Sequence, residues 1–219
     1  MKRPWIKFCG LTRPSDVRTA VQTGADLIGL NFSTDSPRAV TFGLGRTLCE
    51  VAHATSLPQG RRKVRTVAVF VNPDDELVAD VLHHVAPDIL QFHGDESPSF
   101  CRSFKHPFLK AHRLKSSASA RAIPDYLGDY AVGYLVDAYS AEQHGGTGRR
   151  LDVSLAKSSL SAERGFLAGG LTAENIEELI TTVEPFGVDV ASGIEERPGI
   201  KSPKRMAAFI TAVNRACGS

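Results

Sequence analysis

Short apolar runs of three to six residues recur along the chain, and between them lie stretches whose apolar positions repeat every three or four residues. The first pattern predicts strands and the second amphipathic helices. Strands are expected at Trp5 to Cys9, Leu27 to Phe32, Thr66 to Val71, Ile89 to His93, Phe108 to His112, Gly133 to Val136, Phe166 to Ala168 and Val188 to Ala191. Helices are expected from Ser15 to Thr23, near Gly45 to Thr55, and from Asn72-Pro73-Asp74 to about Val85. A short one is opened by Gly94-Asp95-Glu96-Ser97-Pro98, a Ser- and Ala-rich segment after the fifth strand is weakly helical, and a modest one follows Asp152. The last two carry Glu174, Glu177 and Glu178 in early turns and run from Ser202 to Arg215. Thr66 to Val71 is almost uninterruptedly apolar, as a strand buried on both faces should be. Strand and helix thus alternate eight times without a second composition regime. That predicts an α/β fold, a single-domain (β/α)8 TIM barrel over residues 1–219.

The first unit, Trp5 to Asp16, sets the pattern. Alternation puts Trp5, Lys7 and Cys9 on one face and Ile6 and Phe8 on the other. Gly10 permits a sharp turn, and Pro14 with Ser15-Asp16 supplies first-turn and capping chemistry for the helix.

Composition narrows the function classes. The chain is 42% hydrophobic and 23% charged, with a net charge of only +2, so the molecule as a whole has little attraction for nucleic acid or anionic lipid. The basic run Arg61-Arg62-Lys63 with Arg65 has no aromatic platform and reads as a solvated turn. Cys9, Cys49, Cys101 and Cys217 are far apart and form no CxxC pair, which fits a reducing compartment. No apolar run approaches the roughly 20 residues of a membrane helix, so a soluble, cytoplasmic protein without membrane partners is expected. There is no GxGxxG or GxxxxGK run to cradle a nucleotide.

Active sites of such barrels lie at the carboxyl ends of the strands, where this chain places Cys9, Arg38, His93, Asp137, Gly169-Gly170 and Ser192-Gly193. Cys9 and Asp137 are the candidate base and acid, one to take a proton and the other to give one. Cys9 is otherwise a small buried hydrophobe; Asp137, otherwise a loop hydrogen-bonding group, follows the apolar Tyr134-Leu135-Val136, where desolvation favours the protonated acid. Lys7 shares the face of Cys9 and would favour its thiolate, unless it is tied to Asp189, the only charged residue of the eighth strand. His93 either contacts a substrate or fills a polar layer with Gln91, and without HxxxH spacing no metal is expected. Gly169, Gly170, Ser192 and Gly193 offer unhindered backbone N–H groups for a phosphate, or are simple turn residues. Arg38 is either a carboxylate clamp or an exposed surface arginine.

Taken together, Lys7-Phe8-Cys9-Gly10-Leu11-Thr12, Ser36-Pro37-Arg38, Val69-Phe70-Val71-Asn72, Leu90-Gln91-Phe92-His93-Gly94-Asp95, Leu135-Val136-Asp137-Ala138, Gly145-Gly146-Thr147-Gly148, Ala168-Gly169-Gly170-Leu171-Thr172 and Gly187 to Glu195, with Pro198-Gly199-Ile200-Lys201, resemble the phosphoribosylanthranilate isomerase family of tryptophan biosynthesis. The resemblance implies an Amadori rearrangement of a small phosphoribosyl substrate, with no cofactor or metal, in a monomer or homodimer. It implies Asp137 as the acid that opens the ribose ring and Cys9 as the base at C2'. Arg38 would hold the anthranilate carboxylate, His93 would lie near the substrate, and Gly169, Gly170, Ser192 and Gly193 would hold the phosphate. Asn31 and Asp35 depart from the usual pattern. Indoleglycerol-phosphate synthase and the histidine-pathway isomerase are similar barrels, but the former relies on a lysine acid and the latter on paired aspartates. A non-enzymatic phosphometabolite-binding barrel is the alternative of another class.

Overall fold

The structure, a computed structural model, describes residues 2–59, 62–113, 123–137, 153–160 and 163–218. Gly145-Gly146-Thr147-Gly148, most of the Ser- and Ala-rich segment, and Arg61 lie outside the described residues.

The eight expected strands are all present, as β1 (Trp5–Cys9), β2 (Leu27–Asn31), β3 (Arg65–Phe70), β4 (Ile89–Phe92), β5 (Phe108–Arg113), β6 (Ala131–Asp137), β7 (Gly165–Ala168) and β8 (Gly187–Val190). They are parallel, each bonded to the next, and β8 returns to β1 to close the barrel. Phe32, Val71, His93 and Ala191 fall just past their strands, where the chain bends into the loops.

The period of two decides what lies inside. Trp5 and Cys9 of β1 pack with Leu27, Val67, Ile89, Leu109, Leu135 and Phe166 in the barrel interior. Ile6, Phe8, Ile28, Leu30, Phe70, Phe92 and Val188 point outward, into a second core shared with the helices. Closure leaves no strand edge unpaired, so the parallel sheet is covered on both faces.

The helices are α1 (Pro14–Thr23), α2 (Phe42–Ala54), α3 (Asp75–His84), α4 (Pro98–Ser103), α5 (Ile123–Tyr126), α6 (Val153–Ser159), α7 (Ile176–Val183) and α8 (Pro203–Ala216). Each start has a local cause. Pro14 occupies the first turn of α1, but the N-cap is Arg13, without a side-chain capping bond; Asp16 is turned instead toward Arg13, whose Nε lies 2.9 Å from it. Helix α2 begins earlier than its pattern suggests because the Thr41 hydroxyl accepts from the Leu44 amide at 3.3 Å. Asp74 caps α3 in the same way, at 2.8 Å from the Leu77 amide. Glu174 precedes α7, so only Glu177 and Glu178 sit in its first turn.

One element was not anticipated. After a 3-10 turn at Ser192–Ile194, strands β9 (Glu195–Arg197) and β10 (Ile200–Lys201) form an antiparallel hairpin beside the barrel mouth. Its turn contains Pro198-Gly199, a dipeptide that marks such reversals. Among the described residues no helix is long and apolar enough to cross a membrane.

An aromatic column ties the outer core together: Phe32, Phe70 and Phe92 stack at 5.9 and 6.0 Å, and Phe92 also meets Phe100, Phe104 and Phe108. Phe92→Ala should therefore cost about 3–5 kcal/mol, read as a lowered urea midpoint at unchanged slope.

Candidate active site

A cavity of about 770 Å³ opens at the carboxyl ends of the strands. Cys9, Arg38, His93, Asp137, Gly169, Gly170 and Ser192 all line it. Gly193 does not; a Cβ there would overlap the Leu171 carbonyl oxygen, so this glycine is where two loops pack on each other. In the ring of strands β7 and β8 separate β6 from β1. The backbone of Gly169, Gly170 and Ser192 accordingly lies between Asp137 at the end of β6 and Cys9 at the end of β1.

Lys7 faces the same interior and is fully buried. Its Nζ donates to Asp189 Oδ1 at 2.9 Å across the β1–β8 pair, and it converges with the Cys9 sulfur over Gly29 of β2. Of the two partners left open by the sequence, Asp189 holds the ion pair and Cys9 lies beside it. Burial alone would lower the Lys7 pKa, but the neighbouring Asp189, with Cys9, outweighs it and leaves it raised.

Arg38 is neither exposed nor free. Its Nε and one terminal nitrogen grip Glu195 at 2.8 and 2.6 Å, a bidentate fork that raises the guanidinium pKa. The edge formed by its two terminal nitrogens is not the one engaged, and Arg38 still lines the cavity. Glu195 also receives Lys201 Nζ at 2.8 Å and the Gly199 amide at 3.2 Å. Burial pushes its carboxyl up, but the hydrogen bonds from Arg38 and Lys201 win and hold it below the ordinary glutamate value. Lys201 in turn donates to the carbonyl of Ala191 at 3.0 Å, next to Ser192. Through this hairpin the arginine of the second loop and the glycine-ended eighth strand are fixed to one another.

His93 is held by Gln91, whose amide nitrogen lies 3.1 Å from Nδ1. In that assignment Nδ1 accepts, so the ring's proton is on Nε2. Burial pushes the imidazole down to about 4; Asp189 opposes this, and Lys7, Arg113 and Lys110 add to it. The loop carrying His93 is stapled by Glu96, which accepts from the amides of Asn72 at 2.8 Å and Gly94 at 3.0 Å, and by Lys110, which donates to the Gly94 carbonyl at 2.6 Å.

The sequence reading gave no role to Glu195, Lys201, Glu96 or Arg113. Arg113 sits at the inward end of β5, beside Asp137 in register, and lines the cavity. Its inward parity with Leu109 and Ala111 was the available signal, obscured because the strand runs one residue beyond its apolar pattern. Phe32, Val71, Pro73 and Leu77 give the cavity an apolar wall. Among the described residues no group of three His, Cys, Asp or Glu side chains could hold a metal ion.

Comparison with known proteins places this geometry. The family profile described as PRAI, N-(5'-phosphoribosyl)anthranilate (PRA) isomerase, matches residues 6–212. The chain belongs to the phosphoribosylanthranilate isomerase family. It is accordingly an enzyme, an isomerase. It is similar to the N-(5'-phosphoribosyl)anthranilate isomerase of Neisseria meningitidis, 39% identical over 215 residues that cover 98% of this chain and 99% of the relative. It superposes on the phosphoribosyl anthranilate isomerase of Thermotoga maritima, a protein that is dimeric, with a TM-score of 0.81 and 30% identity over 99% of this chain and 100% of the other. A crystal structure of a phosphoribosyl anthranilate isomerase in complex with reduced 1-(o-carboxyphenylamino)-1-deoxyribulose 5-phosphate gives a TM-score of 0.79 at 28% identity, covering 99% and 100%.

In this isomerase His93 stays neutral through the neutral range. Buried His112, packed on Tyr126 and Tyr134, is also pushed down to about 4 by burial and by Lys110. Unfolded imidazoles protonate near the ordinary 6.5, so the unfolded chain binds more protons between about 6.5 and 4 and stability falls as pH drops through that window. Urea midpoints should decline over this range, and less steeply in His93→Gln and His112→Gln variants that fold.

Proposed function

We propose that the cavity converts N-(5'-phosphoribosyl)anthranilate into 1-(2-carboxyphenylamino)-1-deoxyribulose 5-phosphate, an Amadori rearrangement of the aldose–ketose type, in tryptophan biosynthesis. The supporting observation is that Cys9 and Asp137 line one cavity with the backbone of Gly169, Gly170 and Ser192 between their strands. A phosphate bound at the ends of β7 and β8 would leave the ribose between an acid on one side and a base on the other.

In this reading Asp137 gives a proton to the ribose ring oxygen as the C1'–O bond breaks, and the anthranilate nitrogen supplies the electron pair that forms the Schiff base. The Cys9 thiolate then takes the proton from C2', the electrons move into the C1'–C2' bond, and the enolamine tautomerises to the ketone as C1' gains a proton. Oxidation at C2' is balanced by reduction at C1' within one molecule, so no external oxidant or cofactor is needed. The free edge of Arg38 would meet the anthranilate carboxylate while Glu195 holds the other edge, and the ring would lie on Val71, Pro73 and Leu77. His93, neutral, would present Nε2–H as a donor to the substrate. Assembly as a monomer or homodimer, in the cytoplasm, completes the proposal.

Freshly formed phosphoribosylanthranilate should lose its anthranilate fluorescence rapidly when the purified protein is added, after subtraction of spontaneous breakdown. Asp137→Asn and Cys9→Ala should each reduce turnover on the order of 10²- to 10⁴-fold. Full turnover in either variant would remove that residue from the mechanism. Arg38→Lys, which keeps the charge but loses the planar fork, should raise KM more than it lowers kcat.

A further inference from the structure

The groups packed around Cys9 form a charge cluster with an odd count. On its own strand lies Lys7; on β8 lies Asp189; from the loop after β2 comes Arg38, and from the hairpin come Glu195 and Lys201. A charge on Cys9 would act on Lys7, Arg38 and Lys201 alike. Across the cavity stand His93, which is neutral, Arg113 and Asp137, with Asp35 and Asp74 at the rim. In the packed cluster three cations face two carboxylates, and one positive charge is left over. A thiolate at Cys9 makes the cluster neutral, whereas a thiol leaves an uncompensated cation among side chains that are largely withdrawn from water.

The backbone is shaped for this contact. A Cβ on Gly29, the β2 residue beside Cys9 in register, would lie 2.9 Å from Cys9 Sγ and 3.0 Å from Lys7 Nζ. The sulfur and the ammonium therefore converge over the one position of β2 that has no side chain. The same ammonium holds Asp189 at 2.9 Å.

We propose that Lys7 is a positioning residue that holds Cys9 as the thiolate, and that Asp189 moderates the hold by sharing the same ammonium. Its consequence for turnover rests on Cys9 being the base; the ionisation does not. The two partners thus act with opposite sign. Loss of Lys7 raises the energy of the thiolate, and loss of the Asp189 charge lowers it.

The test is the pH dependence of iodoacetamide alkylation at Cys9, followed by mass spectrometry in a Cys217→Ser background. Cys49 and Cys101 are buried, with thiols pushed up to about 11 and about 12, so they should stay unreactive. Lys7→Met should move the alkylation midpoint up by about one pH unit or more, roughly a tenfold loss of thiolate at fixed pH below both midpoints. Asp189→Asn should move it down, and Lys7→Arg should restore most of the wild-type profile. Should Lys7→Met fail to fold with Asp189 left unpaired, Lys7→Met/Asp189→Asn removes both charges, and its midpoint must lie above that of Asp189→Asn. A midpoint unmoved by loss of Lys7, or moved upward by Asp189→Asn, overturns the proposal. The acid limb of kcat/KM should follow the alkylation midpoint in each variant. If alkylation shifts and that limb does not, the hold on the thiolate stands and Cys9 is excluded as the base.

Discussion

The ion pair between Lys7 and Asp189 joins the first strand to the last, inside the barrel, at the seam where the sheet closes. A buried pair of this kind is a poor source of stability, because withdrawing two charges from water costs several kcal/mol each before their attraction is counted. Apolar side chains would fill the same space without that penalty, as Leu27, Val67, Ile89 and Leu109 do elsewhere in the interior. Stability alone therefore gives no reason for charge at this place. A reason appears two residues further along β1, where the cation converges with the Cys9 sulfur over Gly29.

The rest of the mouth is built by the same device, in which a carboxylate orients a cation that does something else. Glu195 grips one edge of Arg38 and leaves the other open, and it draws Lys201 against the end of β8. Glu96 gathers the amides of Asn72 and Gly94 and so fixes the ends of β3 and β4, between which His93 enters the cavity. Thr12, in the turn after β1, hydrogen-bonds the Gly199 carbonyl at 2.6 Å and ties that turn to the same hairpin. Loops after five different strands are thereby cross-braced, which is how a site assembled from separate units keeps a geometry tighter than any one loop would hold.

Much of this was legible in the sequence for a simple reason. Strand periodicity, turn residues and helix starts are local, and in a barrel of repeated units local signals add up to the fold without long-range inference. Residues at strand ends could be assigned to the mouth on topology alone, which is why Cys9, Asp137, His93, Gly169, Gly170 and Ser192 were found and now line one cavity. What remained hidden was pairing across the ring. Nothing near position 38 says that its partner is at 195, and nothing near position 7 says whether 189, 9 or both will meet its ammonium. The packing at Gly193 was hidden for a related reason: a glycine that frees an N–H and one that admits a neighbouring carbonyl are identical until the loop opposite is in place.

The shared ammonium also bears on how strong a base Cys9 should be. A thiolate held too firmly would be present at every pH and yet reluctant to accept a proton, since a general base works best when its pKa lies near the operating pH. Lys7 and the surplus positive charge favour the anion; Asp189, competing for the same nitrogen, restores basicity. In the proposed reaction the substrate brings two further anionic groups to this mouth, a phosphate beside β8 and a carboxylate at Arg38, and each draws on the field that stabilises the thiolate. Substrate binding would then make Cys9 more basic just when C2' must give up its proton. In that reaction the cations that would attract the substrate and those that would hold the base are one set, so affinity and basicity would be coupled through the charge of this cluster.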